Sequence, residues 1–296
     1  MIYSLLAFAL WGVADLFYKK GNSRNENYND IITGIIVGIV MGIHALIYAI
    51  NNSVSIDIKE IVYYLPVSFC YIFSMVVGYK ALRYIELSIA SPVQNTSGVI
   101  TSLLLILFFK STYPILAYVA FFLVFIGIFY ICMLERKEGS EERKFTIGKD
   151  SKWKILAIAL PIIYCLFDGL GTFLDGIYLD KLELISEDNA LVAYEATFLL
   201  FSICAIIYLR LKHINFMLHR EKDKIAAAIF ETAGQYFYVF AMANDSVISA
   251  TIVGSYCILS MLLGRVFLKE KLSVKKYVAI AAALIGIVML CILQVD

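Results

Sequence analysis

Charge is scarce in this chain. Of 296 residues, 17% are Asp, Glu, Lys or Arg against 61% hydrophobic, and the mean hydropathy is +0.82. A water-soluble protein of this length needs more polar residues to clothe its core. There are four prolines and three histidines. A glycine-rich phosphate loop, HExxH, CxxC and any Ser–His–Asp grouping that spacing would single out are all missing, so neither a nucleotide-driven pump nor an enzyme is implied. The same absence leaves no cofactor or metal expected. A net charge of +1 gives no footing for nucleic acid. The six cysteines (Cys70, Cys132, Cys165, Cys204, Cys257 and Cys291) each fall inside an apolar run, far apart, and read as buried free thiols. No basic residue precedes Lys19, whereas a cleavable signal peptide puts its charge first. The first apolar run is therefore expected to persist as a helix.

Long apolar runs are abundant. Ten of them cover about 2–18, 30–50, 61–84, 88–109, 113–134, 154–179, 189–210, 224–244, 247–268 and 275–294. Each can cross a hydrocarbon core of about 30 Å. The runs are continuous rather than alternating, which predicts helices that satisfy their own backbone, not a barrel. The expected fold is an all-α integral membrane protein with ten transmembrane helices, and its first partner is the lipid bilayer. The longest polar break, Glu135–Lys152, mixes both signs and reads as a solvated linker. It divides the chain into 1–134, 135–152 and 153–296.

Counting Lys and Arg by side gives the orientation. The side that would hold both termini has three (Lys59, Lys110 and Lys181), and the opposite side has the other 22 of the 25. Basic loops stay in the cytoplasm, so both termini are predicted outside and the central linker inside a multi-pass plasma-membrane protein. The halves also resemble each other. At an offset of 160, Ala81, Ala90 and Ser91 fall on Ala241, Ala250 and Thr251, and Gly127 matches Gly286 at 159. Five helices per half is an odd number, so the two halves must be inverted repeats, a plan that places a binding site between them near the midplane.

Several polar residues sit where the bilayer should be. Asp168 and Asp175 lie seven residues apart, about two helical turns, and share a face with Tyr164 and Gly171. Glu195 and Glu231 occupy the next two runs, and Asp15 lies towards the basic end of the first. A carboxylate at membrane depth needs a wet cavity, a partner or a proton, and no Lys or Arg lies deep enough to pair easily. Glu231, Gly234, Gln235 and Tyr238 form one helical stripe, while Pro92 can kink the fourth run beside Gln94 and Asn95. These read either as a polar cavity wall or as small-residue packing with interhelical hydrogen bonds. Trp11, Tyr71, Tyr164, Tyr194 and Tyr238 keep register with the polar stripes. Rings beside carboxylates form cages for amines, although packing explains most single aromatics. His44 reads as a lone hydrogen-bonded histidine.

Ser249–Leu290 holds a small-residue helix, a turn with Leu268, Glu270, Leu272 and Ser273, and an apolar helix with the late Gly286. This segment resembles the close of the EamA-type domain of the drug/metabolite transporter superfamily, and the stretch around Trp11 and Gly12 resembles its start. The resemblance implies a ten-helix inverted-repeat basket that transports small organic solutes, among them amino acids, other metabolites, drugs and quaternary amines such as choline. Phe109–Thr112 departs from the acidic turn of the pattern. The charge count also opposes the cytoplasmic termini described for many members.

Together these readings predict a secondary transporter of a small organic solute, an amine or quaternary ammonium cation, with protons as the candidate coupling ion. The expected contacts are Asp168 and Glu231 foremost, then Asp175, Glu195, Gln94, Asn95, Gln235, Tyr238, Tyr164, Tyr71 and Trp11. One alternative is an exporter of amino acids or other metabolites that uses Gln94, Asn95 and Gln235. Another is a non-transporting membrane receptor or assembly partner. A complete inverted pair makes a monomer sufficient, and a dimer is compatible.

Overall fold

The computed structural model describes residues 1–22, 28–82, 87–146 and 151–293, leaving undescribed the side chains of 87–95, 135–146 and 151–158. The described residues form helices α1 (Ile2–Asn22), α2 (Asn29–Asn52), α3 (Ile58–Leu82), α4 (Leu87–Phe109), α5 (Ile115–Thr146) and α6 (Ser151–Asp175). After a π-helical turn, Gly176–Lys181, follow α7 (Glu187–Leu211), α8 (Lys222–Asn244), α9 (Ser246–Val253), α10 (Cys257–Phe267) and α11 (Val274–Leu293). Among the described residues nine segments are long and apolar enough to cross a membrane, and Thr96–Phe109 of α4 is a shorter apolar helix. Exposed Ile50, Leu107 and Ile115 belong to the apolar belt such a bundle turns towards lipid.

Three details depart from ten simple runs. The ninth is two helices, α9 and α10, joined at Gly254–Tyr256. There Ser255 N–H and Tyr256 N–H bond to Ile252 and Val253 carbonyls three residues back, at 3.1 and 2.9 Å, which tightens the turn. The sixth ends in the π-helical turn, where Leu182 N–H reaches the Ile177 carbonyl at 3.0 Å. The fifth continues to Thr146, through most of the stretch expected to be linker. The Glu, Arg and Lys residues of that stretch favour helix and prefer water, so the helix leaves the apolar layer without unwinding.

The packing is symmetric under exchange of halves. α1 packs on α8 as α6 packs on α3, while α2 pairs with α7, α4 with α9 and α10, and α5 with α11. One core joins α1–α3 to α6–α8, and a second joins α4 and α5 to α9–α11. Glycines allow close crossings. A Cβ on Gly98 would lie 2.8 Å from Gly254 Cα, and one on Gly254 would lie 2.8 Å from Gly98 Cα. At the α5–α11 crossing, a Cβ on Gly127 would lie 2.8 Å from the Ala279 carbonyl oxygen, and one on Gly286 2.7 Å from that of Ala120. Two inverted five-helix repeats account for this pattern.

Candidate functional site

Between the halves lies a cavity of about 60 Å³, room for a few waters. α1 contributes Trp11, Asp15 and Tyr18, α3 contributes Tyr71 and Tyr79, and α6 contributes Tyr164, Asp168 and Thr172. Tyr194, Glu231, Tyr238 and Tyr256 complete the polar and aromatic wall, with Ser97 from α4. Helical spacing explains the selection. Asp168 and Thr172 are four apart on α6, and Glu231 and Tyr238 are seven apart on α8, so each pair looks inward along one stripe.

Asp168 is half-buried, because it borders the open space; Ser97 Oγ donates to its Oδ2 at 2.6 Å, and Tyr164 is its neighbour. Glu231 is 8% exposed and has the Tyr18 hydroxyl beside its carboxylate. Its strongest charged neighbour is Asp15, whose Oδ2 accepts from Ser260 Oγ at 2.8 Å. Among the described residues no Lys or Arg forms an ion pair with Asp168 or Glu231. The aromatics pack on one another. Trp11 and Tyr238 have centroids 4.9 Å apart, Trp11 and Tyr256 5.8 Å, and Tyr18 and Tyr79 4.6 Å. Trp11 Nε1 donates to the Glu231 carbonyl at 3.2 Å, tying α1 to α8 across the wall.

Asp175 is not in the cavity. It is fully buried above it, towards the termini side. Tyr64 donates to Oδ1, Tyr71 donates to Oδ2 at 3.0 Å, and Tyr71 OH also meets Tyr238 OH at 2.7 Å. This cluster ties α3, α6 and α8 together as a roof. Asp15 and Asp175 are separated by 160 residues, the offset between the halves. Equivalent residues thus occupy different surroundings, one lining the cavity and one sealed by tyrosines. On the basic side, Tyr79 OH donates to Tyr18 OH at 3.1 Å, and Lys19 Nζ to the Leu82 carbonyl at 2.8 Å.

Glu195 also lies elsewhere. It is fully buried between α7 and α2, and both its oxygens stand 2.8 Å from His44 Nδ1. Expected as a contact, Glu195 instead meets a local partner on α2 that the Lys and Arg count could not reveal. Gln235, on the same stripe as Glu231, is buried outside the cavity lining, and its Nε2 has no hydrogen-bond partner. The side chains of Pro92, Gln94 and Asn95 lie outside the described residues. Trp11, Tyr71, Tyr164, Tyr194, Tyr238, Asp168 and Glu231 all line the cavity. Asp15, Tyr18 and Tyr79 line it as well, the two tyrosines without a sequence signal that sets them apart from packing aromatics, and Ser97 and Tyr256 come from the polar stretches Ser91–Gly98 and Thr251–Tyr256. The 160-residue offset, applied to the acids, would have paired Asp15 with Asp175.

The termini side carries a wider depression of about 620 Å³ that includes Glu60, Glu183 and Glu187. Nearby, Asp245 caps α9 through the Ile248 N–H at 3.0 Å and accepts from Tyr113 OH at 3.1 Å. Burial raises its pKa against the opposing pull of those donors.

The sequence profile of the EamA-like transporter family matches residues 1–133 and 147–292. A solved crystal structure superposes with a TM-score of 0.71 at 12% identity, covering 99% of this chain and 96% of its own. At that identity the likeness speaks to the fold alone. No curated protein matches the sequence.

Proposed function

Because the chain belongs to the EamA-like transporter family, we propose that it is a secondary transporter of a small organic cation, an amine or quaternary ammonium compound, with protons as the exchanging ion. One observation carries the reading. Asp168 and Glu231 line a single tyrosine-walled cavity, and no Lys or Arg among the described residues pairs with either. Carboxylates at membrane depth take a proton or a cation, and aromatic faces add attraction for a desolvated ammonium. The acidic depression on the termini side would concentrate cations near that face. Transport would proceed by rocking of one half against the other. The distribution of basic residues orients the basic side towards the cytoplasm of a plasma-membrane protein, with both termini outside.

The test is thermal stabilisation of purified protein by primary and quaternary amines, neutral amino acids and sugars at two pH values. A ligand of the folded state raises stability with its saturation. Amines should stabilise, more strongly at the higher pH, where protons compete less. Asp168→Asn should weaken that response at least about tenfold, as loss of a charge-assisted contact does. Stabilisation by neutral solutes alone, unaffected by pH, would refute the cation reading.

A further inference from the structure

The two carboxylates stand on different walls of the cavity. Asp168 belongs to α6, which packs on α3 and α4, whereas Glu231 belongs to α8, which packs on α1. Each has its own surroundings. Ser97 and Tyr164 attend Asp168. Tyr18 attends Glu231, with Asp15 as the nearest strong charge. The Asp15 carboxylate is itself held by Ser260. The same cavity is also lined by the apolar Met75, Ala250 and Val253 and by the ring of Trp11.

Charge accounting then limits the ligand. A solute with one ammonium satisfies one pole. The other carboxylate stays desolvated, or it must take up a proton, and a buried unpaired charge is costly. A solute with an ammonium at each end and methylenes between them answers both poles and lays its chain on the apolar lining. Glu231 adds a second argument. It is nine-tenths buried, faces the cavity and has a hydroxyl, not a cation, as its neighbour, so its side of the cavity is prepared for a positive group.

We propose that the preferred substrates are linear α,ω-diamines, with one ammonium at Asp168 and the other between Asp15 and Glu231. This inference rests on the cation reading above and narrows it. A cavity of about 60 Å³ has room for a few waters; entry of a diamine would require its basic-side wall to part at Tyr18 and Tyr79.

The experiment compares, on the purified full chain, α,ω-diamines with n-alkylamines and amino alcohols of the same carbon number, read as ligand-induced thermal stabilisation. The diamine should bind at least about tenfold tighter than either, because a second charge-assisted contact is made only by the second ammonium. Asp168→Asn and Glu231→Gln should each bring diamine and monoamine to within about threefold of each other. Equal or tighter binding of the monoamine to the unaltered protein would overturn the proposal and leave the cation reading standing. No response to any amine, with stabilisation by neutral solutes, would instead bring down the cation reading itself. A full diamine preference surviving in Glu231→Gln would remove the second pole from α8. Should a variant fail to fold, the comparison on the unaltered protein decides alone.

Discussion

Asp168 and Asp175 share one face of α6, yet their neighbours give them different work. Asp168 borders the cavity with Ser97 on its Oδ2 and Tyr164 beside it, whereas both oxygens of Asp175 are taken by α3 tyrosines. Tyr71 is the joint of that roof, since its hydroxyl touches Asp175, Thr172 and Tyr238. Tyr71→Phe keeps the ring and removes the joint. It should lower stability by about 1–3 kcal/mol, the usual cost of leaving a buried acceptor short of a donor, measured as a fall in midpoint in thermal or denaturant unfolding. A change within error would mean the roof is held elsewhere. At this scale the sequence was informative about which residues are out of place in a bilayer and silent about what meets them. Helical spacing puts Asp168 and Asp175 on one face, but their separation into cavity and roof depends on where α3 passes. Glu195 and His44 are 151 residues apart; their pairing exists only because α2 packs on α7.

At the crossing of α4 with the α9–α10 break, the backbones of two glycines meet beside the cavity. Gly98→Ala or Gly254→Ala places a methyl 2.8 Å from the opposing Cα, and a backbone atom cannot swing aside as a side-chain end can. Either substitution should destabilise by about 1–3 kcal/mol through overpacking, and the double substitution should cost no less than the worse single one. Thermal unfolding of the three variants checks this, and a neutral single variant would show that the helices can separate freely. Elements were legible wherever hydropathy changes sharply. Nine of the ten runs reappear as long apolar segments, with the fourth represented by α4. The break at Gly254–Tyr256 was not legible, because the hydropathy stays high across it and a change in hydrogen-bond register leaves no mark in composition. The helical continuation of α5 was hidden for the opposite reason: charge marks the exit from the membrane, not the end of a helix.

For the whole molecule, the repeat was readable from few identities and an odd helix count, and the exchange-symmetric packing agrees with it. Orientation rests on the distribution of basic residues and has its own test. In a background without accessible cysteines, Ser53→Cys, in the loop after α2, should react with a membrane-impermeant maleimide on intact cells. His213→Cys, in the loop after α7, should react only after permeabilisation. The reverse pattern would invert the molecule and with it the assignment of the acidic depression to the outside.

The sealed Asp175 and the cavity-lining Asp15 stand at equivalent positions, and at the same offset Tyr71 corresponds to Glu231. In a transporter with inverted repeats the opposite-facing state exchanges the two environments. On the proposed reading, closing the basic side therefore requires Glu231 to approach Asp15 as Tyr71 approaches Asp175. A hydroxyl donates to a carboxylate, but a second carboxylate repels it. The unloaded protein is then biased against turning over, and a positive charge between Asp15 and Glu231 supplies the missing attraction. Slippage, the empty return that would let an ion gradient leak away without moving substrate, is thus opposed by one difference in residue type between two otherwise matching positions.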